Sequence, residues 1–139
     1  MYIKGKFVSG QDLDEVKEVR SSCGLNVSDP DDMMAIHVVA YCVDEESQPV
    51  AAGRLRFDGE EYTVDTLCRR PEETDDYMDF VLKMLIYQAV QHGAEQIVAL
   101  CPAEQVTMFQ RNRFKPVGEA EDGNCKMLLV NASVHHCCQ

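Results

Sequence analysis

Two rhythms of apolar and polar positions run along the chain, one of period two and one near period 3.6. Residues 2–8 predict a short first strand. Over 11–20, Leu13, Val16 and Val19/Arg20 recur at helical spacing, with Asp12, Asp14 and Glu15 in the first turn, where acids complement the helix dipole. Residues 23–32 carry Gly24, Asn26, Ser28 and Pro30 and predict a polar connection. A strongly apolar strand follows over 35–43, then a hairpin-length turn over 44–49 and a returning strand over 50–57. Asp58-Gly59 is a hairpin signal, and 60–68 is the next strand.

The rhythm then lengthens. Over 76–92, Tyr77, Phe80, Val81, Met84, Leu85 and Ala89 fall on one helical face, widened by Leu82, Ile86 and Val90. Gly93 ends this helix. A fully apolar strand occupies 96–100, a shorter helix 103–111, and closing strands 114–118 and 126–130, joined by a turn at Asp122-Gly123-Asn124. A strand, long helix and strand in succession imply a parallel pair with a right-handed crossover. The flanking meanders are antiparallel. The expected fold is α/β: a mixed, mostly antiparallel sheet with a central parallel strand pair and helices on its faces. Residues 1–130 form one domain, and 131–139, without apolar period, a flexible tail.

Composition narrows the function. With 139 residues, 45% of them apolar, the chain can bury one core. No apolar run is long enough to span a bilayer, and Met1-Tyr2-Ile3-Lys4-Gly5 lacks a signal peptide's apolar core, so a cytoplasmic location is expected. The net charge of −11 disfavours nucleic acid and anionic membranes; it suits a cationic partner, or solubility alone. The seven cysteines are odd in number and hold no CxxC pair. Cys42, Cys68 and Cys101 lie in or beside apolar segments, as small hydrophobes of a reduced core.

Several strings, in order, resemble those of the GNAT (GCN5-related) N-acetyltransferases. Ala35-Ile36-His37-Val38-Val39 and Pro49-Val50-Ala51-Ala52-Gly53-Arg54-Leu55 are similar to the family's second and third strands. Asp79-Phe80-Val81-Leu82-Lys83-Met84-Leu85 resembles the helix after its cofactor loop, and His92-Gly93-Ala94 that helix's end. Met108-Phe109-Gln110-Arg111-Asn112-Arg113-Phe114, then Gly118-Glu119, resembles its late helix-to-strand passage. The resemblance covers about residues 2–130. It implies an acyl group carried on coenzyme A, as acetyl-CoA, and moved to an amine. A splayed fourth strand, here ending at Thr66-Leu67-Cys68, would pair with the pantetheine arm. A glycine-rich loop at the start of the long helix would hold the pyrophosphate on backbone N–H groups. A base and an acid would handle the protons. Homodimerisation, common in the family, is implied by the resemblance alone.

The sequence departs from that pattern at the loop. Aligned on Asp79-Phe80 and Gly93, the loop's basic or amide position falls on Glu73 and its glycine positions on Thr74, Asp76 and Met78. Residues 72–79 hold five carboxylates, and Thr74 or Asp75 is a suitable N-cap, so the helix start is expected to satisfy itself. A pyrophosphate there would meet like charge, at about 1 kcal/mol per close pair in water and about 4 in a surface-like dielectric. Thr66, Leu67, Cys68, Thr74, Asp75, Asp76, Tyr77 and Met78 are the implied cofactor-binding positions. The family's thiolate-protonating tyrosine falls on Phe109, which has no hydroxyl, and the glycine before the closing phenylalanine is Arg113.

Asp65 and Glu61 are the candidate general bases, with a solvated strand face as the alternative. Arg69 and Arg70 could hold phosphate or pair with Glu72, Glu73 or Asp75. His37 reads as a satisfied core histidine, and Tyr77 and Tyr87 as packing residues, with a place near the cofactor groove as the alternative for Tyr77. His135-His136-Cys137-Cys138 carries metal-binding side chains, but adjacent ligands rarely converge on one site, and no metal is expected. Asn131-Ala132-Ser133 matches a glycosylation sequon without a secretion signal. Two functions follow: an N-acyltransferase acting on a small amine or basic peptide, and a catalytically inactive pseudoenzyme that binds a ligand or protein in the retained cleft.

Overall fold

The computed structural model describes residues 3–10, 12–42, 48–120 and 123–137. Seven strands, β1 (Ile3–Ser9), β2 (Ile36–Cys42), β3 (Pro49–Phe57), β4 (Tyr62–Arg69), β5 (Gln96–Cys101), β6 (Lys115–Glu119) and β7 (Cys125–Val130), form one sheet in the order β1-β2-β3-β4-β5-β7-β6. Neighbours are antiparallel except β4 and β5, which run parallel. Four α-helices are α1 (Asp14–Ser22), α2 (Asp76–Gln91), α3 (Val106–Arg111) and α4 (Ala132–Cys137), and 3-10 turns cover Pro30–Met34 and Ala103–Gln105. Among the described residues, no helix is long and apolar enough to cross a membrane. The mixed sheet expected from the sequence is thus present, with its single parallel pair where the long crossover helix required it.

Helices cover both faces of the sheet, which is why β2 is buried on both faces between its end residues. Val38 and Ala40 join the main core with Val81, Leu82 and Leu85 of α2. Val39 and Tyr41, on the opposite face, pack with Leu13 and Val16, and Val19 of α1 packs on Ala52 and Cys68. Leu13 is drawn into that cluster as the residue before α1, so the helix begins at Asp14, three residues later than its periodicity predicts. α2 ends as expected: Gly93 takes φ +95°, its N–H donates to the Val90 carbonyl (2.9 Å), and that of Ala94 donates to Ala89 (3.0 Å).

Two differences have local causes. Arg113 takes φ +75° and closes α3 with the same pair of bonds, Arg113 N–H to Gln110 and Phe114 N–H to Phe109, so the left-handed cap persists without glycine. The expected tail is helical from Ala132, because Ala132 is fully buried against the main core and the Ser133 hydroxyl donates to Glu95 (3.0 Å). The side chains of 135–139 lie outside the described residues, as do most of the 44–49 turn, Tyr2, Gln11 and Asp122. The edge strand β6 is exposed along its length and carries Pro116, which blunts the edge against pairing.

α2 lies on β3 at Gly53. A Cβ there would come within 2.8 Å of Leu67, 2.9 Å of Val81 and 3.0 Å of Leu85. Gly53→Ala should therefore cost about 1–3 kcal/mol through overpacking. Urea melts test this, and an unchanged midpoint would contradict the close approach of helix and strand.

Candidate active-site cleft

β4 and β5 pair only over Tyr62–Val64 and Ile97–Ala99. Just past that point Arg54 of β3 opposes Asp65 and Ala52 opposes Cys68, so Thr66 and Leu67 together face Gly53. This is a β-bulge, and Thr66 sits in it at φ +48°, an uncommon conformation for a β-branched residue. The bulge bends β4 where its pairing with β5 ends. Between the diverging strands opens a cleft of about 890 Å³.

A buried ion network underlies the bulge. Arg20 of α1 donates two hydrogen bonds to Asp32, at 2.8 and 3.0 Å. Arg54 donates to Asp32 at 3.0 Å and grips both oxygens of Asp65, at 2.8 and 3.0 Å. Arg56 adds a bond to Asp65 at 2.9 Å. Asp32 is placed by the 3-10 turn, whose Asp29 and Asp32 form a reciprocal capping box around Pro30. Arg20 also reaches the Thr66 hydroxyl at 3.4 Å, so the network touches the bulge itself.

Burial, the strongest influence on the Asp32 carboxyl, pushes its pKa up; the guanidinium of Arg20, then that of Arg54, outweighs it, and the net direction is down. His37 is fully buried. Its Nε2 lies 3.0 Å from the Asp32 carbonyl, which makes Nε2 the protonated nitrogen, and burial holds its pKa below the ordinary value.

Six sequence-expected positions line the cleft: Asp65, Thr66, Leu67, Cys68, Asp75 and Met78. Asp65 is buried and clasped by two arginines, not solvated on an open strand face; the guanidinium partners explain how a carboxylate is accommodated there. Glu61 sits exposed in the turn before β4, and Thr74 and Asp76 are exposed at the start of α2. Tyr77 belongs to the core, and Phe109 is fully buried, edge-on to Phe114 at 5.2 Å.

The helix start also differs from expectation. No side chain caps α2: the N-cap Asp75 has helical dihedrals, and its carboxylate accepts instead from Arg69 Nε at 2.7 Å. Arg69 thus takes the pairing expected of it. Arg70 turns away, to Glu18 (3.0 Å) and the Pro49 carbonyl (2.6 Å). The amides of α2's first turn lack intrahelical acceptors, as in any helix, and the acidic residues around them do not fill that role with a cap.

Sequence reasoning passed over Arg20, Asp32, Arg54 and Gln105. A charged residue inside the apolar string Val50–Leu55 signals Arg54, and Asp29-Pro30-Asp31-Asp32 is a legible capped turn. Gln105 reaches across the mouth of the splay, its amide nitrogen donating to the Leu67 carbonyl at 2.8 Å, while its oxygen is buried without a partner.

No protein-family model and no curated protein matches the sequence. Solved structures do match. An acyl-CoA N-acyltransferase from Pseudomonas aeruginosa superposes with a TM-score of 0.75 at 13% identity, over 93% of this chain and 100% of that one. The chain adopts the GNAT fold. An N-acetyltransferase from Staphylococcus aureus Mu50 gives 0.71 at 12% identity, over 94% and 98%. The PaiA N-acetyltransferase from Thermoplasma acidophilum, solved with coenzyme A, gives 0.69 at 14%, over 94% and 99%. The GNAT likeness inferred from short strings therefore extends over the whole architecture, and the cleft here lies between the two parallel strands of that fold.

Asp32→Asn should destabilise the chain by about 3–5 kcal/mol, because it leaves the buried Arg20 guanidinium without its carboxylate and takes one of two carboxylate partners from Arg54. The pH dependence has a definite sign. A buried neutral histidine loses stability as pH falls below its unfolded value of about 6.5, and a carboxylate with a lowered pKa loses its contribution below about 4. Urea melts across this range should show both acid-side losses in the native chain and a smaller second loss in Asp32→Asn, where the lowered carboxyls of Glu15 and Asp58 remain. A native stability flat from pH 7 to about 3 would contradict both assignments.

Proposed function

We propose that the chain is an N-acyltransferase that takes an acyl group from acetyl-CoA or a related thioester in the β4/β5 cleft and passes it to an amine. The observation that carries this reading is the bulged divergence of β4 from β5. It leaves the backbone from Thr66 to Cys68 unpaired with β5 and lining a cleft of about 890 Å³. The thioester would supply an activated acyl carbon. The residues of this chain would position it: the Leu67 carbonyl is an acceptor for an amide N–H, and the Gln105 amide can swing away to release it.

The fit is uneven along the cleft. The β4 wall suits a pantetheine arm. The α2 end has no side-chain cap, but its Tyr77 N–H is bonded to the Thr74 carbonyl, Asp75 and Asp76 surround it, and Arg69 is already committed to Asp75. Phosphate binding there is weakened by like charge, so the donor is held chiefly by its arm. Asp65 orients Arg54 and the bulge; with both oxygens held by guanidinium groups it acts as a positioning residue. Proton removal from the amine falls to water in the cleft, and the thiolate leaves without a protein acid, since Phe109 is in the core. The acceptor is a small amine or a basic peptide, in keeping with the net charge of −11. The setting is the cytoplasm.

Gln105 favours a second reading. By bonding to Leu67 it occupies the acceptor that the arm would use, as expected of an inactive domain whose cleft serves another partner. Calorimetry with acetyl-CoA separates the two. Under the first reading the native chain binds saturably, and Asp75→Asn with Asp76→Asn tightens binding about tenfold or more, since each like-charge contact removed is worth about 1 kcal/mol and Arg69 is freed. If the native chain shows no binding and only Gln105→Ala binds, the second reading holds. No binding by any of them excludes a donor site in this cleft.

A further inference from the structure

Two cysteines meet on the cleft wall. Cys23 is the C-cap of α1, and Cys68 lies on β4 just past the bulge. Both are free thiols, both line the cleft, and Cys23 packs against the buried cluster that Cys68 forms with Val19 and Ala52.

Their surroundings differ in a way that separates their chemistry. Cys23 is half-buried at the wall, whereas Cys68 is buried. A thiolate on Cys23 accepts the S–H of Cys68 first, then the backbone N–H of Leu25, with the Arg20 guanidinium adding favourable charge; against the opposing effect of burial, these draw its pKa down to about 6. The same bond with Cys23, then burial, pushes Cys68 up. The negative end of α1 works the other way, since the protonated Cys23 can donate to the Arg20 carbonyl at 3.5 Å. Arg20 from α1 and Cys68 from β4 are the ionisable groups that act on Cys23. An accessible thiolate beside a protonated, buried thiol is the arrangement of an attacking and a resolving cysteine.

We propose that Cys23 and Cys68 form an oxidation site for a peroxide, in which Cys23 is oxidised first and Cys68 resolves it to a disulfide across the cleft wall. The Cys23 thiolate attacks one peroxide oxygen, the O–O bond breaks, and the departing hydroxide takes up a proton and leaves as water. Cys23 is then a sulfenic acid. The Cys68 sulfur displaces its hydroxyl, the S–O bond breaks as the S–S bond forms, and the Cys68 proton leaves with the hydroxyl as a second water. Two thiols lose two electrons to one peroxide. The bridge would tie the end of α1 to β4 beside the bulge. This assignment does not depend on the acyl-transfer reading.

The fold contains its own control. Cys101 and Cys125 are directly opposite in the β5–β7 register, yet burial pushes the Cys101 thiol up to about 11. That pair has the proximity, but its Cys101 thiol is held protonated.

Hydrogen peroxide treatment of the reduced full-length chain, followed by peptide mass spectrometry, tests the proposal. The expected product is a Cys23–Cys68 linked peptide in the native chain. Cys68→Ser should stop at a dimedone-trapped sulfenic acid on Cys23, and Cys23→Ser should leave Cys68 unmodified. In the unsubstituted chain, iodoacetamide at neutral pH should label Cys23, half-buried at the wall, about tenfold faster than the buried Cys68. This readout requires no variant to fold. A folded chain that forms no Cys23–Cys68 link, links other cysteines instead, or labels Cys23 no faster than Cys68 would overturn it.

Discussion

Asp32 accepts hydrogen bonds from Arg20 and Arg54, and Arg54 passes the connection to Asp65. Four elements are joined through these side chains: α1, the 3-10 turn, β3 and β4. Taking such charges out of water costs several kcal/mol per ion, and pairing recovers that only when the geometry is good. A network of this kind is therefore poor at adding stability over a well-packed apolar core. What it does well is fix positions. Here it fixes the place where β4 leaves β5, because Asp65 is the last residue of β4 before the bulge and Thr66 in the bulge is touched by Arg20. The cleft follows from that bend.

The same constraint explains why the two candidate bases came apart. Asp65 is held at the cleft by its arginines, and Glu61, four residues earlier, is left in solvent. It also places Cys23 and Cys68 together, since α1 carries both Arg20 and Cys23 and β4 carries both Asp65 and Cys68. At the other end of the cleft the acidic start of α2 is governed by a different balance. Its carboxylates pair with neighbouring cations, Asp75 with Arg69 and Asp79 with Lys83, and leave the helix uncapped. The start of α2 is thus acidic yet without a side-chain cap.

The layout of the fold was legible because period and punctuation agree along most of the chain. β2 is apolar on both faces, α2 carries an apolar stripe ended by Gly93, and the crossover forces a parallel pair. The site was legible only in part. Thr66-Leu67-Cys68 could be placed by likeness to known strands, but the bulge depends on two residues facing Gly53, a register that periodicity does not carry. Asp32 and Arg20 are 12 residues apart, and Arg54 a further 22 from Asp32, so their convergence is a tertiary fact with no local signature. The expected N-cap failed for a similar reason. Capping is a local preference, and Arg69, six residues before Asp75, offered the carboxylate a charged partner instead.

On the proposed function, β4 is the wall that would receive the acyl donor. Amide hydrogen exchange with and without acetyl-CoA measures this directly. Protection should appear over residues 65–69 and at the facing segment 100–105, with α4 and β1 unchanged. Protection absent from β4, or confined to surfaces away from the cleft, would contradict it.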